Sequence, residues 1–169
     1  MSTVIEQNIS EEEKKILLEL ESVKDPEIPV VSVVDLGMIT KVVIGNESVS
    51  VYMTPTFTAC PAIETIKKDI KICVEKIAGG KRVEVIVDFA VAWTSNRITE
   101  KGKVLLKNFG LAPPPKHDGE ISLSMISDAK CPFCDSTNTS FRSPFGATLC
   151  RSFHYCYDCK QAFEQFKPL

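Results

Sequence analysis

Four of the chain's seven cysteines stand in two C-x-x-C pairs, Cys131-Pro132-Phe133-Cys134 and Cys156-Tyr157-Asp158-Cys159. Each pair makes a tight knuckle that aims two sulfurs at one ion. Two knuckles on neighbouring hairpins complete a tetrahedral thiolate site, the geometry zinc favours in closed structural positions. The stretch between them, Asp135–Tyr155, is a little longer than the roughly 15–20 residues usual for this arrangement. Four thiolates leave no open coordination position, so the ion is expected to hold a small domain together and not to catalyse. The same sulfurs also suit a single iron or an iron–sulfur cluster, and the spacing leaves that choice open.

Three further cysteines need separate readings. Cys60 lies in "TPTFTACPAIETI" (Thr54–Ile66), directly before Pro61 and a helical pattern. Proline suits the first helical position, which would put Cys60 at or near the N-cap. Helix-start N–H groups and the positive end of the helix dipole favour a thiolate there. The alternative is a small residue filling a turn. Cys73 falls beside the apolar stripe of that helix and reads as core. Cys150 would share one strand face with Ser152, His154 and Cys156 if Thr148–Cys156 is extended. Cys150 and His154 are therefore expected to pack beside the metal ligands, with a ligand role as the alternative. His117 reads as a solvated side chain.

The elements that position these groups follow from periodicity. Ser10 and Glu13 have capping-box spacing, and Ile16, Leu17, Leu20 and Val23 continue with helical period before Asp25-Pro26 ends the pattern. Met38–Ile44 and Val49–Thr54 are β-branched runs around Gly45-Asn46, a hairpin signature. After Pro61, the residues Ile63, Ile66, Ile70, Val74 and Ile77 form an apolar stripe, closed by Gly79-Gly80. Arg82–Phe89 reads as a returning strand and Thr99–Phe109 as a last helix. The expected fold class is α+β. A small mixed sheet with helices packed on it precedes a small β-rich zinc ribbon.

The organisation expected is a disordered tail over 1–10, an α/β domain over 11–110, a proline-rich linker over 111–120 and the ribbon over 121–169. A unit of about 50 residues gains little stability from its core alone and often needs a metal. The formal net charge of −2 offers no basic footprint for nucleic acid. No apolar run approaches the roughly 20 residues of a membrane helix. The polar opening MSTVIEQNIS lacks a basic segment followed by an apolar stretch, so a cytoplasmic protein is expected. No nucleotide loop, GxSxG or HExxH occurs, and no paired carboxylate or histidine stands near Asp25 or Asp35. Either aspartate could close a turn by side-chain hydrogen bonds. A self-contained catalytic activity is therefore not expected.

The segments "DPEIPVVSVVDLGMI", "TPTFTACPA" and "AWTSNRITEKGKVLLKNFGLAPP" resemble the iron–sulfur-assembly domain family that includes SufT-type proteins, over roughly residues 12–115. Joined to a four-cysteine ribbon containing "SPFGATLC", the pattern resembles the D-subunit family of phenylacetyl-CoA 1,2-epoxidase systems. The resemblance implies a non-catalytic accessory role in maturation. Such a protein would assist insertion of an iron–sulfur cluster or iron into a partner, such as the reductase or the di-iron oxygenase, or act with iron–sulfur assembly proteins. It implies that Cys60 is the residue linked to cluster handling, and it makes Asp25 and Asp35, the aspartates of the DPE and DLG motifs, candidates for the same site. Ala92 stands where the family often has a proline before the tryptophan, a change that touches a turn. One thiolate is a poor cage for a transient cluster, so a homodimer or a partner would supply the remaining ligands. Two other readings stay open: an electron carrier with iron on the four sulfurs, and a structural adaptor of the oxygenase complex.

Overall fold

The computed structural model describes residues 9–58 and 60–169; the tail expected over 1–10 lies outside the described residues except for its end. The chain folds as two compact units, one up to Trp93 and one over Thr94–Leu169.

In the first unit, α1 spans Glu11–Leu20. Ser10 caps it with the reciprocal bonds its spacing indicates: Glu13 N–H donates to Ser10 Oγ at 3.1 Å, and Ser10 N–H donates to Glu13 Oε2 at 2.7 Å. Two short strands missed by periodicity follow, β1 (Lys24–Asp25) and β2 (Ile28–Ser32), paired antiparallel. Their prolines and brevity hide any alternation. The hairpin β3 (Ile39–Ile44) and β4 (Ser48–Met53) appears as expected. Helix α2 (Ile63–Glu75) then crosses over to β5 (Arg82–Val87), which runs parallel to β4 in the register Ser48↔Arg82 to Met53↔Val87. The sheet order is β3-β4-β5, a mixed sheet.

Amphipathicity explains the packing. Val49, Val51 and Met53 of β4 are buried while Ser48, Ser50 and Tyr52 alternate outward. Ile66, Ile70 and Val74 of α2 are fully buried, as the stripe requires, and so are Ile16 and Leu20 of α1. Cys73 is core: it is buried between the two helices, its Sγ 3.4 Å from the Glu19 carbonyl oxygen.

In the second unit, a 3-10 turn at Ser95–Arg97 leads to α3 (Glu100–Asn108), capped by Thr99, whose Oγ1 accepts the Gly102 N–H at 2.9 Å. Strand β6 (Leu111–Ala112) follows, then α4 (Leu123–Ser127), β7 (Thr139–Ser143), β8 (Arg151–Cys156) and β9 (Ala162–Phe166). The sheet order is β6-β9-β8-β7. The division between units thus falls before α3, not within the proline-rich stretch. Prolines stop a helix but accept extended backbone. Leu111 and Ala112, ahead of them, retain their N–H groups and pair in parallel with Glu164 and Gln165. His117 is not merely solvated. Its Nε2 lies 3.2 Å from both Ser95 Oγ and the Leu169 carbonyl oxygen, and its backbone exchanges bonds with the Asn96 amide.

Candidate metal centre and the Cys60 loop

The two knuckles are built on one plan. Cys131 N–H donates to the Ser136 carbonyl and Cys156 N–H donates to the Gln161 carbonyl, each at 2.9 Å. The residue after each second cysteine turns back in left-handed backbone, Asp135 at φ 59° and Lys160 at φ 60°. This is the conformation glycine adopts most easily, yet neither position is glycine. The first cysteine of each knuckle, Cys131 and Cys156, is fully buried; Cys134 is exposed and Cys159 half-buried. Cys131 and Cys156 pack with Ala112, Ala129 and Phe163, so the sulfurs rest on the unit's small core.

The knuckles face each other because polar groups beside them clamp. Asp158 accepts from Ser136 Oγ at 2.5 Å and from Asn138 Nδ2 at 2.7 Å. The Tyr157 N–H donates to the Asn138 carbonyl at 2.9 Å. The bonds from Ser136 and Asn138 also hold the Asp158 carboxyl below its ordinary range. The sequence does not single out Ser136, Asn138 or Asp158, since the spacing of sulfurs says nothing about which neighbours join two loops.

The four sulfurs lie within 4.8 Å of one another, with Cys131–Cys159 and Cys134–Cys156 both at 3.6 Å. A tetrahedron with zinc–sulfur bonds of about 2.3 Å has sulfurs about 3.8 Å apart. The donor set and its size therefore fit one four-coordinate ion, and the group is a metal site. Burial pushes the Cys131 thiol up to about 12. Cys156 is lowered to about 7, chiefly by the Cys159 N–H and next by that of Asp158. Crowded thiols can all ionise only when a cation neutralises them.

His154 and Cys150 separate here. Ser152, His154 and Cys156 do share the buried face of β8. The His154 ring stacks on Phe163 at 5.2 Å, meets Phe141 edge-on at 5.6 Å, and places Nε2 2.9 Å from Ser152 Oγ. Burial lowers its pKa to about 4, so it is neutral near pH 7. It packs beneath the ligands as part of the core. Cys150 precedes the strand, half-buried, with its Sγ 3.1 Å from Thr148 Oγ1.

The Cys60 loop sits at the carboxyl ends of the parallel pair β4 and β5, where α/β units place their sites. Three separate segments meet at its first residue, Thr54. Thr54 N–H donates to the Met38 carbonyl at 2.8 Å, and Thr54 Oγ1 donates to the Val91 carbonyl at 2.7 Å. The Trp93 indole N–H donates to the Leu36 carbonyl at 2.8 Å. Asp35 anchors this meeting point: its buried carboxylate accepts from Ser32 Oγ at 2.7 Å and from the Ser32 N–H at 3.3 Å. Gly37 takes φ 65°, which the turn after Asp35 demands. Asp25 does a similar job elsewhere, its Oδ1 accepting the Glu27 and Ile28 N–H groups to close the β1–β2 turn.

Cys60 itself is half-buried. Its N–H donates to the Phe57 carbonyl at 3.0 Å and its carbonyl accepts from Ile63 N–H at 3.4 Å. This alters the expected cap. The N-cap of α2 is Ala62, which already has near-helical backbone, so Pro61 precedes the helix and Cys60 stands two residues before its cap. The cause is a tight turn over Cys60–Ile63, inserted ahead of the first helical bond. Because dipole effects fade within a turn, the helix start favours a thiolate here less than a true N-cap would.

Two family descriptions match the chain. Residues 13–87 match "Iron-sulfur cluster assembly protein" and residues 116–167 match "PaaD zinc beta ribbon domain". The chain is 33% identical, over 88% of its length and 88% of the relative's, to the putative D subunit of the 1,2-phenylacetyl-CoA epoxidase of Escherichia coli. The chain belongs to this D-subunit family. It is also 38% identical to the "Fe-S protein maturation auxiliary factor" of Porphyromonas gingivalis, over 56% of this chain and 90% of that protein. Among solved structures, a domain of unknown function, DUF59, from Bacillus anthracis is similar, with TM-score 0.52 and 30% identity over 56% of this chain and 91% of that one. These likenesses agree with the α+β domain and with the four-cysteine ribbon. No described helix is long and apolar enough to cross a membrane.

Proposed function

We propose that this protein is an accessory maturation factor of a phenylacetyl-CoA epoxidase system, assisting insertion of an iron–sulfur cluster or iron into a partner such as the reductase or the di-iron oxygenase. The zinc of the ribbon is structural, held by Cys131, Cys134, Cys156 and Cys159. Cys60 is the thiol that handles the cargo. The observation that carries this reading is the meeting of the 36–38 and 91–93 segments with Thr54, where the chain leaves the carboxyl end of β4 toward Cys60. There the half-buried Cys60 is reachable, whereas Cys73 of the same unit is core. Asp35 and Asp25 support the loop scaffold through the turns they close.

A thiolate donates one electron pair to a cluster iron, so a partner must furnish the others. Replacing Cys60 with serine tests the role. The variant should fold and keep its zinc, while its client emerges without cofactor. A fully loaded client from cells carrying only Cys60→Ser would sink the proposal. Metal and acid-labile sulfide analysis of anaerobically purified protein separates this reading from an electron carrier. One zinc per chain without iron supports maturation. Iron on the four sulfurs, with visible colour, favours electron transfer, since the same tetrahedron accepts either ion.

A further inference from the structure

Strand β5 (Arg82–Val87) is an edge: among the described residues it pairs with β4 on one side only. It has no proline and no bulge to blunt the edge; its charges are Arg82 and Glu84, ion-paired along the strand at 3.0 Å. The Arg82 and Asp88 N–H groups donate to the Glu47 and Met53 carbonyls on the β4 side. Backbone direction alternates along a strand, so Glu84 and Ile86 also face β4. Val83, Val85 and Val87 therefore turn their N–H and C=O groups outward. Val85, Ile86 and Val87 are all half-exposed.

An antiparallel second strand must place outward residues opposite outward residues, because only those exchange both bonds. For a second copy of β5, three registers centred on the strand satisfy this. Centring on Glu84 sets Glu84 against Glu84. Centring on Ile86 sets Glu84 against Asp88. Both oppose like charges, which is destabilising. Centring on Val85 sets Arg82 against Asp88 twice, once on each side of the two-fold axis, and pairs Val83 with Val87. The charge pattern of the strand thus admits one self-complementary register.

We propose that β5 is a homodimerisation edge, pairing antiparallel with β5 of a second copy about Val85 to make a continuous six-stranded sheet. The interface is isologous, as a two-fold dimer requires. It has a consequence for the Cys60 site, and this part rests on the maturation reading. The Cys60 loop follows the carboxyl end of β4, which lies beside the carboxyl end of β5. Antiparallel pairing sends the two carboxyl ends to opposite ends of a strand about 20 Å long. The two Cys60 thiols then cannot share one cluster, and the remaining ligands must come from the client.

The full-length, zinc-loaded protein tests this by sedimentation velocity over a concentration series. The expected species has about twice the 18.7 kDa chain mass. Val85→Pro removes an outward N–H without touching the β4 ladder and should give a monomer with unchanged zinc content. Asp88→Arg should weaken dimerisation at least tenfold by opposing two arginines, and Arg82→Asp combined with Asp88→Arg should restore it. Restoration also controls for the turn that Asp88 makes with the Ala90 N–H. Hydrogen exchange at Val83, Val85 and Val87 should slow as concentration rises. A monomer at every concentration overturns the proposal, as does a dimer indifferent to Val85→Pro and to the charge reversals. Neither result bears on the Cys60→Ser test.

Discussion

The ribbon knuckles and the Cys60 loop both present cysteine sulfur, yet they are built in opposite ways. At the knuckles, four sulfurs are brought within 4.8 Å by short-range backbone turns, and the clamp at Asp158 fixes the two turns face to face. The site is complete and closed. At Cys60, one sulfur sits in a turn closed locally by backbone bonds to Phe57 and Ile63, on a loop whose first residue, Thr54, is bonded to Met38 and Val91. That site offers a single cysteine sulfur. The difference teaches that a cysteine's task depends on how many donors the fold gathers around it. Four gathered donors can close around one ion; one cysteine sulfur contributes only one donor to whatever it binds.

Substitutions can break this comparison, and the largest effect belongs to the knuckles. Cys156→Ser should cost the bound metal and with it the ordered state of the second unit. Structural zinc contributes on the order of 10 kcal/mol to small domains of this kind. Zinc analysis and hydrogen exchange on the intact chain check this, with protection lost in β8 and β9 and kept in β4 and α2. A chelator should reproduce the effect.

The next effect lies in the other unit. Ile70→Ala opens a cavity in the fully buried face of α2 and should destabilise the first unit by about 2–5 kcal/mol. Denaturant unfolding reads the loss, while zinc content stays at one per chain. If zinc were lost as well, the two regions would not have separate cores.

Smaller still, Lys160→Gly should stabilise the ribbon by about 1 kcal/mol, by relieving left-handed backbone at a residue that carries a Cβ. Asp135→Gly relieves the same strain but forfeits the Asp135–Lys107 ion pair at 2.5 Å. An exposed pair contributes little, but its loss offsets part of the relief, so the gain should be smaller. Equal gains in thermal unfolding would show the ion pair to contribute nothing. The least change is expected from Cys60→Ser, within about 0.5 kcal/mol of the parent. A substantial loss of stability there would make Cys60 a structural residue and erase the contrast.

Much of the fold is legible in sequence, for reasons that differ by element. Helix α2, the β3–β4 hairpin and Cys73 as core follow from the spacing of apolar residues, because burial of one face imposes a period on the chain. The metal ligands follow from C-x-x-C, since a tight turn of that length leaves two sulfurs on one side. The capping box at Ser10 and Glu13 is equally local. The strands β1 and β2 are not legible, being too short and too rich in proline to alternate. Nor is the true start of α2: Pro61 is compatible with the first helical position, but the Cys60–Ile63 turn comes first.

Tertiary structure decided what depends on distant partners. That α3 and β6 join the ribbon unit is set by pairing of Leu111–Ala112 with Glu164–Gln165, and no local pattern announces a parallel pair. The same holds for the clamp on Asp158, the engagement of His117 with Ser95, and the meeting of Leu36, Thr54 and Trp93. Sequence by itself determined which residues could ligate a metal and which faces must be buried, because those are properties of residue type and local spacing. Which groups meet, and how many sulfurs gather at one place, is settled by hydrogen bonds between segments far apart in the chain, and these exist only once the chain has folded.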